Sequence, residues 1–313
     1  MRDTKQMLPI DSVKPGMTTA QVVFNRFGGI IVWDNMVLDN STIQKLKNMG
    51  IESLWVIAPS DESEPKPEKR ITSGRTEHEF LVEYERDVYN VKNLFTDVMQ
   101  GKKPDIKSTE AIVESVLNTT NENSNIVHSI SQVREVDEYT YYHSLNVSML
   151  SLLIGRWMKL ADTQLKELVQ AGLLHDIGKM RIPLSILNKT GSLTPSEFAE
   201  IKRHSEYGYM LVNDMPEVSS EIAAAILTHH EKEDCSGYPI GLPGHKIPLY
   251  AKIIAVADIF DAMTANRAYK KKDSPFKVFE LMQHGSFGVL DTHVLRAFLE
   301  NITHYYVGAH VRL

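Results

Sequence analysis

Cysteine is almost absent from this chain, since Cys235 is the only one among 313 residues. A single thiol excludes an internal disulfide framework and fits a reducing compartment. No apolar run reaches the roughly 18–20 residues that cross a bilayer. The start, MRDTKQMLPIDS, lacks the apolar core of a secretory signal. We therefore expect a cytoplasmic protein without membrane insertion.

An excess of positive charge is also missing, because the formal net charge is -6 and the pI is near 6.1. This balance argues against a sequence-independent nucleic-acid binder, so no DNA partner is expected. The hydrophobic content of 42% and the charged content of 24% are ordinary for a soluble globular protein. The length leaves room for about two domains.

The first 58 residues predict a small α+β domain. Residues 17–37 are rich in Val, Ile and Phe around Gly28-Gly29, which fits two strands and a hairpin turn better than a nucleotide loop. Residues 39–41 offer a helix cap and Gly50 a stop, and ESLWVIA then predicts another strand. We find no chemistry-bearing cluster in this stretch and interpret residues 1–58 as a regulatory or docking domain.

The next stretch predicts a tether followed by helices. Residues 59–75 are rich in Pro, Ser, Glu and Lys, which is typical of a solvated linker. Residues 76–125 show connecting helices, the first with Phe80, Val88, Val91, Leu94 and Phe95 mostly three or four positions apart. Apolar stripes of this kind usually pack into the protein core. A homodimer or a partner protein bound through these helices or the N-terminal domain is the alternative.

The octapeptide LLHDIGKM, residues 173–180, sets a nitrogen donor beside an oxygen donor. Neighbouring residues of a helix point about 100° apart, so His175 and Asp176 can face one metal only where a helix ends. Gly178 and Pro183 predict such an end. Taken alone, the octapeptide fits either a metal site or a helix C-terminus whose His and Lys complement the dipole.

Further His and Asp residues lie on otherwise apolar helices downstream and upstream of the octapeptide. Burying them without partners is costly, and a pair of cations would offset that cost. Imidazoles with few carboxylates suit Fe, Mn, Zn, Ni or Co, and do not suit Ca or Mg. We therefore favour a metal-dependent hydrolase. The candidate ligands are His143, His175, Asp176, His204, His229, His230 and Asp258.

Five motifs follow one another within residues 126–313. They are His143, His175-Asp176-x-Gly178-Lys179, His204, His229-His230-Glu231-x-x-Asp234-x-x-Gly237-Tyr238-Pro239 and Asp258-x-x-Asp261. Their order and spacing resemble the HD-GYP family, a branch of the HD-domain phosphohydrolases. The resemblance implies an all-helical catalytic domain in a mainly α protein, with cyclic di-GMP as substrate.

The resemblance also implies roles for these residues. One metal would be held by His143, His175, Asp176 and Asp258, and the other by His204, His229 and His230 with Asp176 as a bridge. Lys179 would act beside Asp176 in catalysis, against the scissile phosphate. The substrate contacts would include Lys179, Gly237, Tyr238, Pro239, Arg267 and Lys270.

Three carboxylates are expected beside the ligands rather than among them. Glu231 and Asp234 would orient His229 and His230 through hydrogen bonds. Asp261 either supports a ligand in the same way or packs between helices. The chemistry then follows from two cations that bridge one water, lower its pKa and let the resulting hydroxide attack phosphorus in line. Lys179 would stabilise the phosphate charge or help to protonate the leaving 3′-oxygen.

Two positions depart from the family pattern. Tyr139 stands where some members have a glutamate that supports a third metal, so we expect two metals, Fe or Mn, with Zn, Ni and Co as alternatives. Cys235 stands where the family has glycine, which is costly if that residue needs a positive φ. We favour a packing role for this cysteine over a redox or ligand role.

Two other functions stay open beside a phosphodiesterase that yields linear pGpG or GMP. One is a phosphohydrolase for another substrate, with a hybrid cyclic dinucleotide as the nearest. The other is a sensor that binds the dinucleotide with little turnover, which the Cys235 substitution motivates.

Overall fold

The structure is a computed structural model of the chain, which divides into two compact units, Met1–Ile71 and Thr72–Leu313. None of the helices in its described ranges is both long and apolar enough to span a bilayer. The structure describes residues 5–20, 23–24, 30–32, 36–48, 50–51, 53–57, 77–122, 126–127, 130, 139–264, 275–285 and 288–306.

The first unit contains five short strands, one α-helix and one 3-10 turn, Ile10–Ser12, in its described residues. The strands are β1 (Lys5–Pro9), β2 (Thr18–Thr19), β3 (Val23–Phe24), β4 (Ile30–Val32) and β5 (Ser53–Ile57), and the helix is α1 (Asn40–Asn48). One antiparallel sheet has the order β1-β5-β2, and β3 pairs antiparallel with β4. Leu38, Leu46 and Val56 are buried between helix and sheet residues as part of one small core. The predicted α+β unit is confirmed.

Local sequence patterns predicted most elements of this unit correctly. Asp39 Oδ1 accepts a hydrogen bond from the Thr42 N–H at 2.7 Å, which caps α1 as predicted, and Gly50 follows the helix with a φ of 76°. The strand β1 was not predicted, since KQMLP gains its regular structure only by pairing with β5. The predicted turn at Gly28-Gly29 and the linker at residues 59–75 lie outside the described residues.

Apart from one isolated β-bridge between Asp234 and Pro243, the regular secondary structure in the described residues of the second unit is helical, so the predicted mainly α fold class is confirmed. Its helices are α2 (Glu77–Met99), α3 (Lys107–Glu122), α4 (Tyr139–Trp157), α5 (Asp162–Leu174), α6 (Leu184–Leu187), α7 (Pro195–Lys202), α8 (His204–Val212), α9 (Ser220–Thr228), α10 (Leu249–Thr264), α11 (Pro275–Gly285) and α12 (Thr292–Ile302). A 3-10 turn, Ile177–Arg181, separates α5 from α6.

Helix α4 lies in the middle of this unit and packs against α2, α5 and α10. Its residues are buried on every side over most of its length, as expected for a central helix. Small residues let α5 approach closely, because a Cβ on Gly172 would lie 3.0 Å from the Ser148 Cα. The predicted stripe of α2, from Phe80 to Phe95, is buried as well. This packing brings the ends of several helices together at one buried site.

Candidate metal centre

The end of α5 turns His175 and Asp176 toward the same space. His175 keeps helical dihedrals, φ -54° and ψ -37°, while Asp176 leaves the helix at φ -100° and ψ 4°. The His175 Nε2 lies 3.3 Å from the Asp176 Oδ2, and both side chains are buried. Adjacent residues share one centre here because the helix ends at this point, as the sequence predicted.

Gly178 is required for a different reason from the one predicted. The predicted role was to end the helix in a left-handed conformation, but the φ of Gly178 is not positive. Instead, a Cβ at this position would overlap the carbonyl oxygen of His204 and the amide nitrogen of Gly208. The missing side chain lets α8 lie directly on the turn that follows Asp176. Gly178 therefore brings His204 to the site.

Three of the histidines are held by backbone carbonyls. Because a carbonyl oxygen can only accept, each Nδ1 must carry the proton, and each Nε2 must present a lone pair. Such an anchored imidazole is the form in which histidine binds metal ions. The Nδ1–H groups of His175, His204 and His229 donate to Gly172, Ile201 and Ile226, respectively, each at 2.7 Å.

The lone pairs of these histidines converge. The Nε2 atoms of His204 and His229 lie 3.3 Å apart, although neither has a proton to share. The buried Nε2 of His175 and Oδ1 of Asp176 have no hydrogen-bond partner at all. Buried acceptors that face one another are unfavourable unless a cation lies between them. The donor set of this chain therefore fits bound metal.

The donor atoms form overlapping groups, in each of which all atoms lie within 4.8 Å of one another. Asp176 connects the groups with its two oxygens. Its Oδ1 lies 3.4 Å from the His204 Nε2, and its Oδ2 lies 3.6 Å from the His143 Nε2. Ligands at right angles on a metal about 2.1 Å away are about 3 Å apart, which these spacings approach. The groups are His143, His175 and Asp258; His204, His229 and His230; and His175, Asp176 and His229.

The surroundings favour neutral imidazoles on one side of the site. Burial lowers the pKa of His204 to about 4 and that of His230 to about 3, and the attraction of Asp176 for His204 and of Asp258 for His230 offsets this only in part. Burial and the other histidines also lower the pKa of His229. These nitrogens therefore stay unprotonated and available as ligands at neutral pH.

The other side of the site favours a positive charge. Burial opposes the charged imidazolium of His143, but hydrogen bonds to Asp258 and Asp261 outweigh it and raise its pKa to about 9. The His143 Nε2 lies 3.1 Å from the Asp258 Oδ1. Burial would also raise the pKa of Asp176, yet Lys179 and His175 hold it well below its usual range. A cation between His143 and Asp258, whether a proton or a metal, satisfies both groups.

Asp261 supports His143 directly, which decides between its two predicted roles. The His143 Nδ1 donates to the Asp261 Oδ2 at 2.7 Å, and Asn146 Nδ2 donates to Oδ1 at 3.0 Å. Sequence reasoning missed Asn146 and the residue behind it, Tyr84, whose hydroxyl donates to the Asn146 Oδ1 at 2.5 Å. The available signal was spacing, because Asn146 follows His143 by three positions and shares its helix face.

Lys179 lies at the edge of the same site. Its Nζ donates to the Asp176 Oδ2 at 2.5 Å, while about a quarter of its side chain remains exposed, 24%. An ammonium in this position lies between the buried carboxylate and solvent. It is close enough to the candidate metal ligands to contact an anionic group bound to them.

Glu231 does not contact the histidines that it was expected to orient. Its buried carboxylate accepts three backbone N–H groups, from Ile240 at 2.7 Å, Gly241 at 3.0 Å and Leu242 at 2.8 Å. This is a correction, and its reason is that the chain folds back over the end of α9. Asp234 likewise binds Ser236, at 2.7 Å through the hydroxyl, and is exposed.

The loop that Glu231 holds covers one ligand candidate. The peptide bond between Tyr238 and Pro239 is cis. The Tyr238 ring lies on the His230 ring, with centroids 4.6 Å apart and planes tilted by 31°. Lys202 of α7 places its Nζ 5.7 Å from the centre of the same tyrosine ring. The predicted Gly237-Tyr238-Pro239 segment thus lies against the metal site, with Tyr238 in contact.

Cys235 differs from its prediction in one respect. Its φ is 64°, so the position does require the left-handed backbone that favours glycine. Its side chain is exposed, however, which contradicts the expected packing role. The reason is local, because the Cys235 N–H donates to the Lys232 carbonyl in a turn that points the side chain outward.

Some predicted residues lie outside the described residues. Arg267 and Lys270 belong to residues 265–274, which follow α10. Tyr139 begins α4, but its side chain is not described either, so the expectation of only two metals stays a prediction.

Comparison with known families matches residues 107–294 to the HD domain. The chain belongs to the HD domain family. This match spans the helices that carry every described ligand candidate, and it confirms the family resemblance predicted from the motifs. The described His and Asp clusters of this chain can bind metal ions, in keeping with the metal dependence of HD-domain phosphohydrolases.

Curated relatives include phosphodiesterases for more than one cyclic dinucleotide. The chain is 38% identical over 223 residues to a cyclic di-GMP phosphodiesterase of Pseudomonas aeruginosa, covering 71% of this chain and 54% of the relative. A second cyclic di-GMP phosphodiesterase, from Thermotoga maritima, is 38% identical over 176 residues, which cover 56% and 47%. A 3'3'-cGAMP-specific phosphodiesterase of Vibrio cholerae is 37% identical over 196 residues, covering 62% and 44%. The chain thus spans about half the length of these relatives.

A solved structure shares the fold over nearly the whole chain. It is an HDG"Y"P protein from Bdellovibrio bacteriovorus, with a TM-score of 0.60 at 14% identity, covering 96% of this chain and all of that one. At this identity the likeness concerns the fold alone. It extends beyond the HD helices to the N-terminal region.

Proposed function

We propose that this protein is a metal-dependent cyclic di-GMP phosphodiesterase. The observation that carries the proposal is the arrangement around Asp176, whose two oxygens face separate sets of histidine Nε2 atoms. A carboxylate with an oxygen for each of two cations is the arrangement expected of a two-metal phosphohydrolase. The cyclic di-GMP phosphodiesterases among its relatives support the choice of substrate.

Two divalent transition metals would be bound, with Fe or Mn as the proposed ions. His143, His175 and Asp258 would hold one metal, and His204, His229 and His230 would hold the other, with Asp176 between them. Bound there, the cations would acidify a water molecule and neutralise charge on the phosphate. The nitrogen-rich ligand set supports a transition metal over Ca²⁺ or Mg²⁺.

The remaining residues of the site would bind and orient the substrate. Lys179, exposed on one side and paired with Asp176 on the other, would contact the scissile phosphate as a point charge. Tyr238 offers an aromatic ring next to His230, which suits a guanine base or its ribose. Arg267 and Lys270 would bind the second phosphate. The first cleavage would yield pGpG, and a second would yield GMP.

The wider organisation follows the same proposal. Residues 1–58 would regulate or dock, residues 59–75 would link, residues 76–125 would connect, and residues 126–313 would catalyse. A second copy or a partner protein would bind through the first domain or the connecting helices. The single cysteine agrees with activity in the cytoplasm.

Metal analysis and turnover of the full chain together test the proposal. We expect about two equivalents of Mn or Fe per chain. We also expect hydrolysis of cyclic di-GMP, which chromatography of the products measures. Asp176→Asn should lower the metal content to one equivalent or less and reduce kcat by at least about 100-fold, because it removes a charged oxygen that each cation needs. Asp214→Asn, which changes an exposed carboxylate after α8, is the matched control and should match wild type. Full metal loading without turnover of any cyclic dinucleotide would leave the sensor function instead.

A hybrid cyclic dinucleotide is the second candidate substrate. The specific observation in its favour is the 3'3'-cGAMP-specific relative, which is nearly as similar as the cyclic di-GMP enzymes. Competition between the two dinucleotides in one assay measures the ratio of their kcat/KM values. We expect the ratio to favour cyclic di-GMP, and a ratio that favours 3'3'-cGAMP by tenfold would reassign the substrate.

A further inference from the structure

A continuous chain of buried hydrogen bonds joins α2 to the metal site. The Tyr84 hydroxyl donates to the Asn146 Oδ1 at 2.5 Å, the Asn146 Nδ2 donates to the Asp261 Oδ1 at 3.0 Å, and the His143 Nδ1 donates to the Asp261 Oδ2 at 2.7 Å. The four side chains lie on three helices, α2, α4 and α10. Each of them is at most 2% exposed.

The chemistry of the groups fixes the direction of every bond. The Asp261 carboxylate can only accept, so Asn146 must turn its amide nitrogen toward Asp261. The Asn146 oxygen then faces Tyr84, whose hydroxyl supplies the proton. Each bond polarises the next in a buried, low-dielectric environment. The position of the Asp261 carboxylate, and with it the ring of His143, therefore depends on Tyr84.

We propose that Tyr84 is a positioning residue for the metal held by His143, acting through Asn146 and Asp261. The inference rests on the proposed metal centre and extends it to α2, which precedes the residues matched to the HD domain, 107–294. A partner three hydrogen bonds from the ligand sets the direction of the Nε2 lone pair, much as hydrogen-bond partners of metal-bound histidines do in general. A shift of α2 that breaks the Tyr84–Asn146 bond is thereby transmitted to one metal and not to the other.

The alternative is that the hydroxyl merely helps α2 to pack on α4. A neighbouring tyrosine separates the two explanations. Tyr142 on α4 is also buried and also bridges the same two helices, with its hydroxyl 3.0 Å from the Glu85 Oε2. Its bond leads away from Asp261. Tyr142→Phe therefore removes a partly buried hydrogen bond between the same two helices and keeps the ring, whose centroid lies 6.0 Å from that of Tyr84.

The test measures metal affinity as well as stability. The full-length wild type, Tyr84→Phe and Tyr142→Phe are titrated with Mn²⁺, and free Mn²⁺ is followed by its electron paramagnetic resonance signal. In Tyr84→Phe we expect one of the two equivalents to bind about 3- to 10-fold more weakly, as the loss of one hydrogen bond predicts. The other equivalent and both equivalents in Tyr142→Phe should match wild type. Melting temperatures measured in EDTA report any general loss of stability.

A second variant keeps the test decisive if Tyr84→Phe folds poorly. Asn146→Leu keeps a similar volume but removes the donor to Asp261 without adding charge, so it should weaken the same equivalent by about 10-fold or more. Unchanged affinities in folded Tyr84→Phe or Asn146→Leu overturn the inference while the proposed function stands. Equal weakening of both equivalents in both tyrosine variants also overturns it, since packing then explains the effect. A wild type that binds no metal overturns the proposed function as well.

Discussion

A buried carboxylate in α2 should make the stability of the helical unit depend on pH. Asp87 is 2% exposed and accepts a hydrogen bond from the Ser115 hydroxyl at 2.6 Å, while the Nε of Arg86 is 3.7 Å away. Burial raises the pKa of Asp87 from 3.8 to about 6, and the bond from Ser115 offsets this only in part. The perturbation that we propose is Asp87→Asn, which keeps an acceptor for Ser115 and removes the charge.

The magnitude follows from the pKa difference. Ionising Asp87 in the folded protein costs about 3 kcal/mol more than ionising it in the unfolded chain, for a folded pKa of about 6. Because the folded pKa is the higher one, the folded state binds more protons between pH 4 and 6, and stability falls as the pH rises. Below about pH 4 there is no penalty, and above about pH 6 it is complete. Asp87→Asn should therefore leave stability nearly unchanged at pH 4 and raise it by about 3 kcal/mol at pH 7.

Urea unfolding at several pH values measures this difference. Circular dichroism at 222 nm follows the helices, and EDTA in every sample removes the effect of metal binding. Asp97→Asn on the same helix is the control, because Asp97 is exposed and pairs with Lys102 at the surface. Its difference from wild type should be small at every pH. A difference for Asp87→Asn that does not grow between pH 4 and 7 would refute the reasoning.

Three further substitutions test other parts of the site. Gly178→Ala should destabilise the protein by about 3 kcal/mol in urea unfolding and reduce metal content, because the new Cβ would overlap backbone atoms that cannot move aside. Gly191→Ala is the control and should leave stability unchanged, because a Cβ there has no atom within 4 Å. Cys235→Gly should raise stability by about 1 kcal/mol by relieving the φ of 64°, and a loss of stability would contradict this. Glu231→Gln should raise KM for cyclic di-GMP and leave metal content unchanged, because an amide cannot accept hydrogen bonds from all three N–H groups of the loop. A loss of bound metal in this variant would show that Glu231 supports the metal ligands instead.

Five of the seven candidate ligands lie at helix ends, whereas His143 and Asp258 lie within α4 and α10. His175 follows α5, His204 begins α8 and His229 follows α9, and each Nδ1 donates to a carbonyl of the preceding turn. Carbonyls at helix C-termini have no partner within the helix, so a following histidine can satisfy one of them. The same bond orients the opposite nitrogen into the site. Secondary structure and ligand geometry are therefore satisfied by the same hydrogen bonds.

The candidate ligands could be selected from the sequence because the selection depends on residue type and order. His143, the His175-Asp176 pair and the His229-His230 pair stand on apolar helices, where unpartnered polar groups are costly. The periodic burial of α2 and the N-terminal cap of α1 were also predicted from local sequence patterns, and the structure contains both. The exposed side chain of Cys235 and the first strand were not readable, since each depends on how a segment folds against another.

By itself, then, the sequence determined the helical class, the HD motifs and the kind of atom that each candidate ligand offers, because these follow from composition, periodicity and spacing. Only the tertiary structure decided which groups support the ligands. Glu231 holds a loop rather than a histidine, Gly178 allows the close approach of α8, and Tyr84 donates to Asn146 from another helix. Such contacts join residues far apart in the chain, and no local pattern records a partner 62 positions away.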